Sequence, residues 1–128
     1  MKEKNTEDAI IQFCMTRGWY AVKVHSGEMY KRQGGKTYKV QLAPQGTSDL
    51  LASIKGRFVA IEVKRDKKEV ESWLRKIERY LKGDLAKSNL REYAQFEQGK
   101  KVCKSLGLFF VVGSLEEFIE SLKENNMF

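Results

Sequence analysis

Ile10, Phe13 and Cys14 recur at a helical interval, with Arg17 on the next turn. Residues 6–17 are therefore predicted to form a helix that Thr6 caps and Gly18 stops. Alternation then takes over: "WYAVKVH" (19–25) interleaves β-formers with a polar residue and predicts a strand. The glycine-punctuated segment 26–46 reads as a flexible excursion, or as a ribbon turning at Gly34-Gly35. A β-hairpin is expected over 48–64, turning at Lys55-Gly56, where the glycine supplies a positive φ. Val70, Trp73, Leu74, Ile77, Tyr80 and Leu81 then mark a helix over 67–83, ended by Gly83. Ser88 is placed to cap a further helix running to Leu106, with Gly107 as its stop. "LFFVV" (108–112) predicts a short strand buried on both faces. Ser114-Leu115-Glu116-Glu117 matches the S-x-x-E capping pattern and opens a last helix over 114–124. This order predicts an α/β fold with a mixed sheet flanked by helices, in which 57–64 reaches 108–112 through a helical crossover.

At 128 residues and 41% hydrophobic, the chain suits one domain, 1–128, with a single core. No apolar run approaches the roughly 18 residues that cross a bilayer. The start, MKEKNTEDAI, is too polar for a signal peptide, so a cytoplasmic location is expected. Cys14 and Cys103 fall at core-facing helix positions and are expected to be buried free thiols. His25 is the lone histidine, which excludes a multi-histidine metal site, and acyl transfer by a Ser-His-Asp triad is not expected. No G-x-x-x-x-G-K-[ST] loop is present, which argues against P-loop chemistry. A formal charge of +7 favours a polyanionic partner, because Lys and Arg neutralise phosphates.

Charge patterning matters most in the hairpin. With the turn at Lys55-Gly56, cross-strand partners become Ile54–Arg57, Ser53–Phe58, Leu51–Ala60, Asp49–Glu62 and Thr47–Lys64. Directly opposed residues share a face with Cβ atoms about 4.5–5.5 Å apart, and Glu62 and Lys64 share a face on one strand. Asp49, Glu62 and Lys64 are thus expected to converge. Two opposed carboxylates repel, so something cationic must offset them. Lys64 alone can do so in a solvated cluster at the hairpin's open end; a Mg²⁺ or Mn²⁺ ion on hard oxygen ligands is the alternative. The apolar neighbours Ile61 and Val63 favour the metal.

Other positions have a functional and a plainer reading. Glu7 heads the apolar stripe of the first helix, yet a first-turn acid also complements the helix dipole. Gln95 lies on a stripe with Gly99, Val102 and Leu106, either as a site residue or as a satisfied half-buried amide. Lys23, Lys31, Arg32, Lys36 and Lys39, with Tyr30 and Tyr38 among them, form either a solvated loop or a phosphate grip. His25 and Ser26 at the strand exit can reach a phosphate or simply leave the strand.

Ser48-Asp49 followed by Glu62-Val63-Lys64 resembles the D…E-x-K core of the PD-(D/E)XK nuclease superfamily. More narrowly, Glu7, "HSGEMYKRQGGKTYKV", "GTSDLL", "GRFVAIEVKR", Gln95 and "SLGLFFVVGSLEEF" together resemble the virus-type replication-repair nuclease (VRR-NUC) family over most of the chain. The resemblance implies a restriction-endonuclease-like α-β-β-β-α-β core, with the helix at 67–83 as an addition. It implies a Mg²⁺-dependent phosphodiesterase, with Mn²⁺ able to substitute. Asp49, Glu62 and the Val63 carbonyl would hold the metal; Lys64 would position or activate water and stabilise the charged phosphorane. Glu7 would assist at the metal and Gln95 would orient the site, with Gln98 one turn on as the alternative. Lys23, Ser26, Lys31, Arg32, Lys36 and Lys39 would contact the nucleic acid. Family members act on branched or flapped DNA, and stand-alone members resemble Holliday-junction resolvases that work as homodimers. Ser48 replaces the proline of the motif name. Two other readings remain: a non-catalytic nucleic-acid-binding module, and an assembly protein whose helices over 67–106 form a dimer face.

Overall fold

The type I′ geometry at Lys55-Gly56, with φ of 53° and 79°, fixes the centre of the architecture. The computed structural model describes residues 2–25, 28–41, 43–83 and 91–128. In chain order it contains α1 (Lys2–Thr16), β1 (Tyr20–Lys23), β2 (Glu28–Gln33), β3 (Lys36–Gln41), β4 (Leu50–Ile54), β5 (Arg57–Val63), α2 (Lys67–Leu81), α3 (Arg91–Lys104), β6 (Leu108–Val112) and α4 (Leu115–Glu124). β1, β4, β5 and β6 form one mixed sheet in that spatial order, with β5–β6 parallel and the other pairs antiparallel. The fold is mixed α/β with helices on both faces, and β5 reaches β6 through α2 and α3 as expected. Among the described residues, no helix is long and apolar enough to cross a membrane.

Alternation along the strands sends two side-chain sets to opposite layers. Leu50, Ala52, Ile54, Val59, Ile61, Val63, Phe110 and Val112 pack with Ile10 and Cys14 of α1 and Phe118 and Leu122 of α4. The other face takes Phe109 and Val111 against Trp73, Ile77 and Tyr80 of α2 and Tyr93 and Phe96 of α3. β5 is therefore buried on both sides from Val59 to Val63. Glu62 and Lys64 lie on the α2/α3 side, where burying a charge is costly unless it is paired.

Several expectations need correction. α1 begins at Lys2, so Thr6 lies inside it and caps nothing; lysines and glutamates are good helix formers and extend the helix before its apolar stripe starts. Segment 26–46 does contain a ribbon: β2 and β3 pair about Gly34-Gly35. Leu74 and Leu81 remain 54% and 70% exposed, because α2 presents only its Val70, Trp73, Ile77 and Tyr80 edge to the sheet. Ser88 lies outside the described residues. The left-handed residue that ends α3 is Leu106, at φ 70°, and not Gly107. Gly107 serves close packing, since a Cβ there would sit 2.8 Å from Val102 Cγ1 and 3.0 Å from the Phe58 carbonyl oxygen. β6 is an edge strand whose Phe109 and Val111 are only half-buried. Both thiols are free, but Cys103 is exposed and only Cys14 is buried, its thiol pushed up to about 11 by desolvation. Ser114 does cap α4, accepting from the Glu117 N–H at 3.1 Å.

Candidate metal-binding and catalytic site

The β4–β5 register holds from Ile54↔Arg57 to Leu50↔Ile61, as the turn dictates, and then stops. Thr47 turns away instead of facing Lys64, its N–H and hydroxyl both donating to the Pro44 carbonyl. Asp49 consequently meets β5 through its side chain: Oδ2 accepts the Val63 N–H at 2.8 Å. Its own carbonyl accepts the Val24 N–H at 2.9 Å, tying the residue to the exit of β1. The expected ladder pairs Asp49–Glu62 and Thr47–Lys64 are thus absent. Asp49 and Glu62 still converge, because a carboxylate that caps Val63 lies beside its neighbour on the same strand.

Glu62 and Lys64 are almost wholly buried. Their hydrogen bonds run through Gln95 of α3, whose Nε2 donates to Glu62 Oε1 at 2.9 Å. Gln95 Oε1 accepts from Lys64 Nζ at 3.1 Å and from Trp73 Nε1 at 2.8 Å. With two donors on its oxygen, the amide is held with its nitrogen toward the carboxylate. Lys64 Nζ also lies 3.8 Å from Glu62 Oε1. Glu62 Oε2 is buried and meets no N–H or O–H donor from the rest of the described protein. The Asp49 carboxylate lies nearby, close enough for its charge to act on Glu62. Burial, and then the Asp49 charge, push Glu62 up to about 9, with Lys64 and Arg91 only partly offsetting them.

Gly46 makes this approach possible. At φ 87°, its missing Cβ would collide with the Ala94 carbonyl, one residue before Gln95, so the loop leading to Asp49 rests directly on α3. Gly46→Ala is expected to cost about 2–4 kcal/mol through the left-handed conformation and the backbone clash. Urea unfolding measures it; a loss below about 0.5 kcal/mol would contradict this packing.

Glu7, predicted on α1, is brought to the same end of the sheet. Its carboxyl is raised by burial and by the nearby Asp49, against the lowering pull of Lys23. Lys23, 2.7 Å from Asp8 Oδ1 and 3.8 Å from Glu7 Oε1, forms an ion-pair bridge between β1 and α1. Lys31, Arg32, Lys36 and Lys39 lie on the exposed ribbon, and Ser26 lies outside the described residues. Gln95, not Gln98, makes the site contacts.

Sequence reasoning missed Trp73, Lys76, Arg91 and Glu92. With Glu3, Lys64, Glu69 and Ser72 they line a cleft of about 360 Å³ that opens on Lys64. Lys76 Nζ bonds Glu92 Oε1 at 2.7 Å. Burial, the largest influence, would raise Glu92, but this bond, a backbone hydrogen bond and the charges of Lys76 and Lys64 together lower the carboxyl instead. The only hint in the sequence was Trp73 itself, since a buried indole N–H needs an acceptor.

Among the described residues, no three His, Cys, Asp or Glu side chains form a ready-made metal cage. The donors do suit Mg²⁺, which keeps several waters and is commonly held by one or two carboxylates plus substrate oxygens. A buried carboxylate oxygen without a donor, facing a second carboxylate, is where a hard cation removes an electrostatic conflict. Neither a family model nor a curated protein nor a solved structure matches the chain.

Proposed function

We propose that this chain is a Mg²⁺-dependent DNA endonuclease of the VRR-NUC type within the PD-(D/E)XK superfamily. The observation that carries the reading is the donorless Glu62 Oε2 beside Asp49, with Lys64 held on the same face through Gln95. On this reading β1, β4, β5 and β6 with α1 and α3 are the restriction-endonuclease-like core, and the ribbon and α2 are additions. Asp49, Glu62 and the Val63 carbonyl, just past the end of the β4 ladder, would hold Mg²⁺ or Mn²⁺. When bound, the ion supplies Lewis acidity toward the phosphoryl oxygen and lowers the pKa of water.

The chain's own residues do the rest. Lys64 places an ammonium at the cleft, where it hydrogen-bonds the attacking water or the oxygen on which charge develops. Gln95 keeps that ammonium and the Glu62 carboxylate at fixed separation. Trp73 fixes the amide and covers the site, which excludes water and strengthens each electrostatic contact. Branched or flapped DNA as substrate, action in replication or repair, a homodimeric state and a cytoplasmic location belong to the same proposal.

The test is cleavage of plasmid, flap and four-way-junction DNA with Mg²⁺, with Mn²⁺ and with EDTA. Lys64→Ala is expected to slow the reaction by about 100-fold or more. Cleavage that persists in EDTA, or a variant as fast as the parent, would refute the reading. The exposed basic ribbon favours one alternative, a non-catalytic nucleic-acid-binding module, for which salt-sensitive binding would occur with no product under any metal.

A further inference from the structure

The β2–β3 ribbon lies outside the four-stranded sheet and pairs only with itself. Its described side chains, Lys31 to Lys39, are all exposed, including half of Tyr38. A lone two-stranded hairpin is marginal in water. The ribbon, residues 28–41, contains four cations and a single acid, Glu28, at its first position. The register divides those cations between two faces: Lys31 and Lys36 share one with Gln33 and Tyr38, and Arg32 and Lys39 share the other with Thr37. The ribbon's root is the site itself, because the Val24 N–H donates to the Asp49 carbonyl and the Ala43 N–H donates to the His25 carbonyl at 3.2 Å.

We propose that this ribbon is an arm that enters the major groove of duplex DNA, its two cationic faces meeting the phosphates of the two strands. This rests on the nuclease reading for its position relative to the cut. A two-stranded ribbon fits the roughly 12 Å major groove. Six residues per strand reach about 20 Å from Asp49, so the gripped duplex adjoins the scissile phosphate. Charge on both faces selects a partner with two phosphate walls. A single strand would use one face, and single-strand binders instead combine a basic groove with stacking platforms. The major groove of duplex RNA is too deep and narrow for side chains to read. The arm thus makes a duplex next to the cleaved bond the substrate class.

The experiment measures binding in EDTA, where metal-dependent cleavage does not intervene. The probes are a DNA duplex of about two helical turns (~20 base pairs), its single strand, and the same duplex as RNA. The variant is K31Q/R32Q/K36Q, with circular dichroism confirming an unchanged fold. For duplex DNA, the slope of log K against log salt is expected to flatten by about 2–3 in the variant. Wild type is expected to protect guanine N7 from dimethyl sulfate in the major groove, and the variant to lose that protection. An unchanged slope, absent protection, or an equal loss on single strand or duplex RNA would overturn the arm. Failure of the nuclease reading would be distinct: no cleavage under any metal, with the slopes as expected here.

Discussion

Glu62→Gln is expected to abolish metal-dependent cleavage and, in EDTA at neutral pH, to raise the melting temperature. Glu62 occupies a buried position with Asp49 beside it and one oxygen without a donor. An isosteric amide can keep its oxygen toward Gln95 Nε2 and turn its NH₂ toward Asp49, offering without proton uptake the donor that Glu62 has only when protonated. Lys64 sacrifices little, because without metal Glu62 is pushed up to about 9 and is largely protonated near pH 7. The expected gain is about 1–3 kcal/mol, or several degrees in a domain of this size. Activity should fall by more than the roughly 10–100-fold typical of outer-shell partners of a metal, since a proposed direct ligand is lost. Differential scanning calorimetry and a cleavage assay read the two effects. A lower melting temperature in EDTA would show Glu62 to be structural, and the metal-site reading would lose its main support.

That trade of stability for function explains which parts of the molecule were legible in the sequence. The hairpin register followed from local chemistry: Lys55 and Gly56 both adopt left-handed φ, and a two-residue turn allows one pairing of the flanking strands. The α4 cap was legible for the same reason, since Ser114 and Glu117 are neighbours in sequence. Information failed where two distant segments meet. Asp49 leaves the ladder because Thr47 folds back on Pro44, and no strand pattern anticipates that a side chain will replace the next backbone partner. The Trp73–Gln95–Lys64 linkage depends on how α2 and α3 stack over β5, so an apolar stripe marked Trp73 as core and concealed its N–H. The same stripe overcounted Leu74 and Leu81, because period alone does not say how wide a helix face the sheet covers. Cys103 was misplaced likewise, on the exposed side of α3.

The charges at the site make a second result expected: without metal the protein loses stability as pH rises, and Mg²⁺ removes the loss. Glu62 is raised in the folded state from an ordinary 4.5 to about 9, so between these values the folded chain holds a proton that the unfolded chain has released. Its contribution is fully present below about pH 4.5 and is lost as pH climbs through 9, at up to about 1.4 kcal/mol per unit. Glu7, raised by burial and by Asp49, acts in the same direction. Asp8 and Glu92 are lowered, so their contributions vanish only in acid, below the ordinary carboxylate range. Cys14 adds a further decline only from about 9 to 11. The window from pH 6 to 9 therefore reports chiefly on Glu62. A cation held at Glu62 needs that carboxyl ionised, so binding must expel the proton Glu62 holds, and its affinity should rise by up to about tenfold per pH unit. Urea unfolding at several pH values, in EDTA and in saturating Mg²⁺, measures both slopes. In Glu62→Gln the decline in EDTA should largely disappear, and added Mg²⁺ should restore nothing. A parent protein whose stability in EDTA stays level or rises across this window would mean that Glu62 is ionised without a cation, supported by Lys64 alone as a buried ion pair.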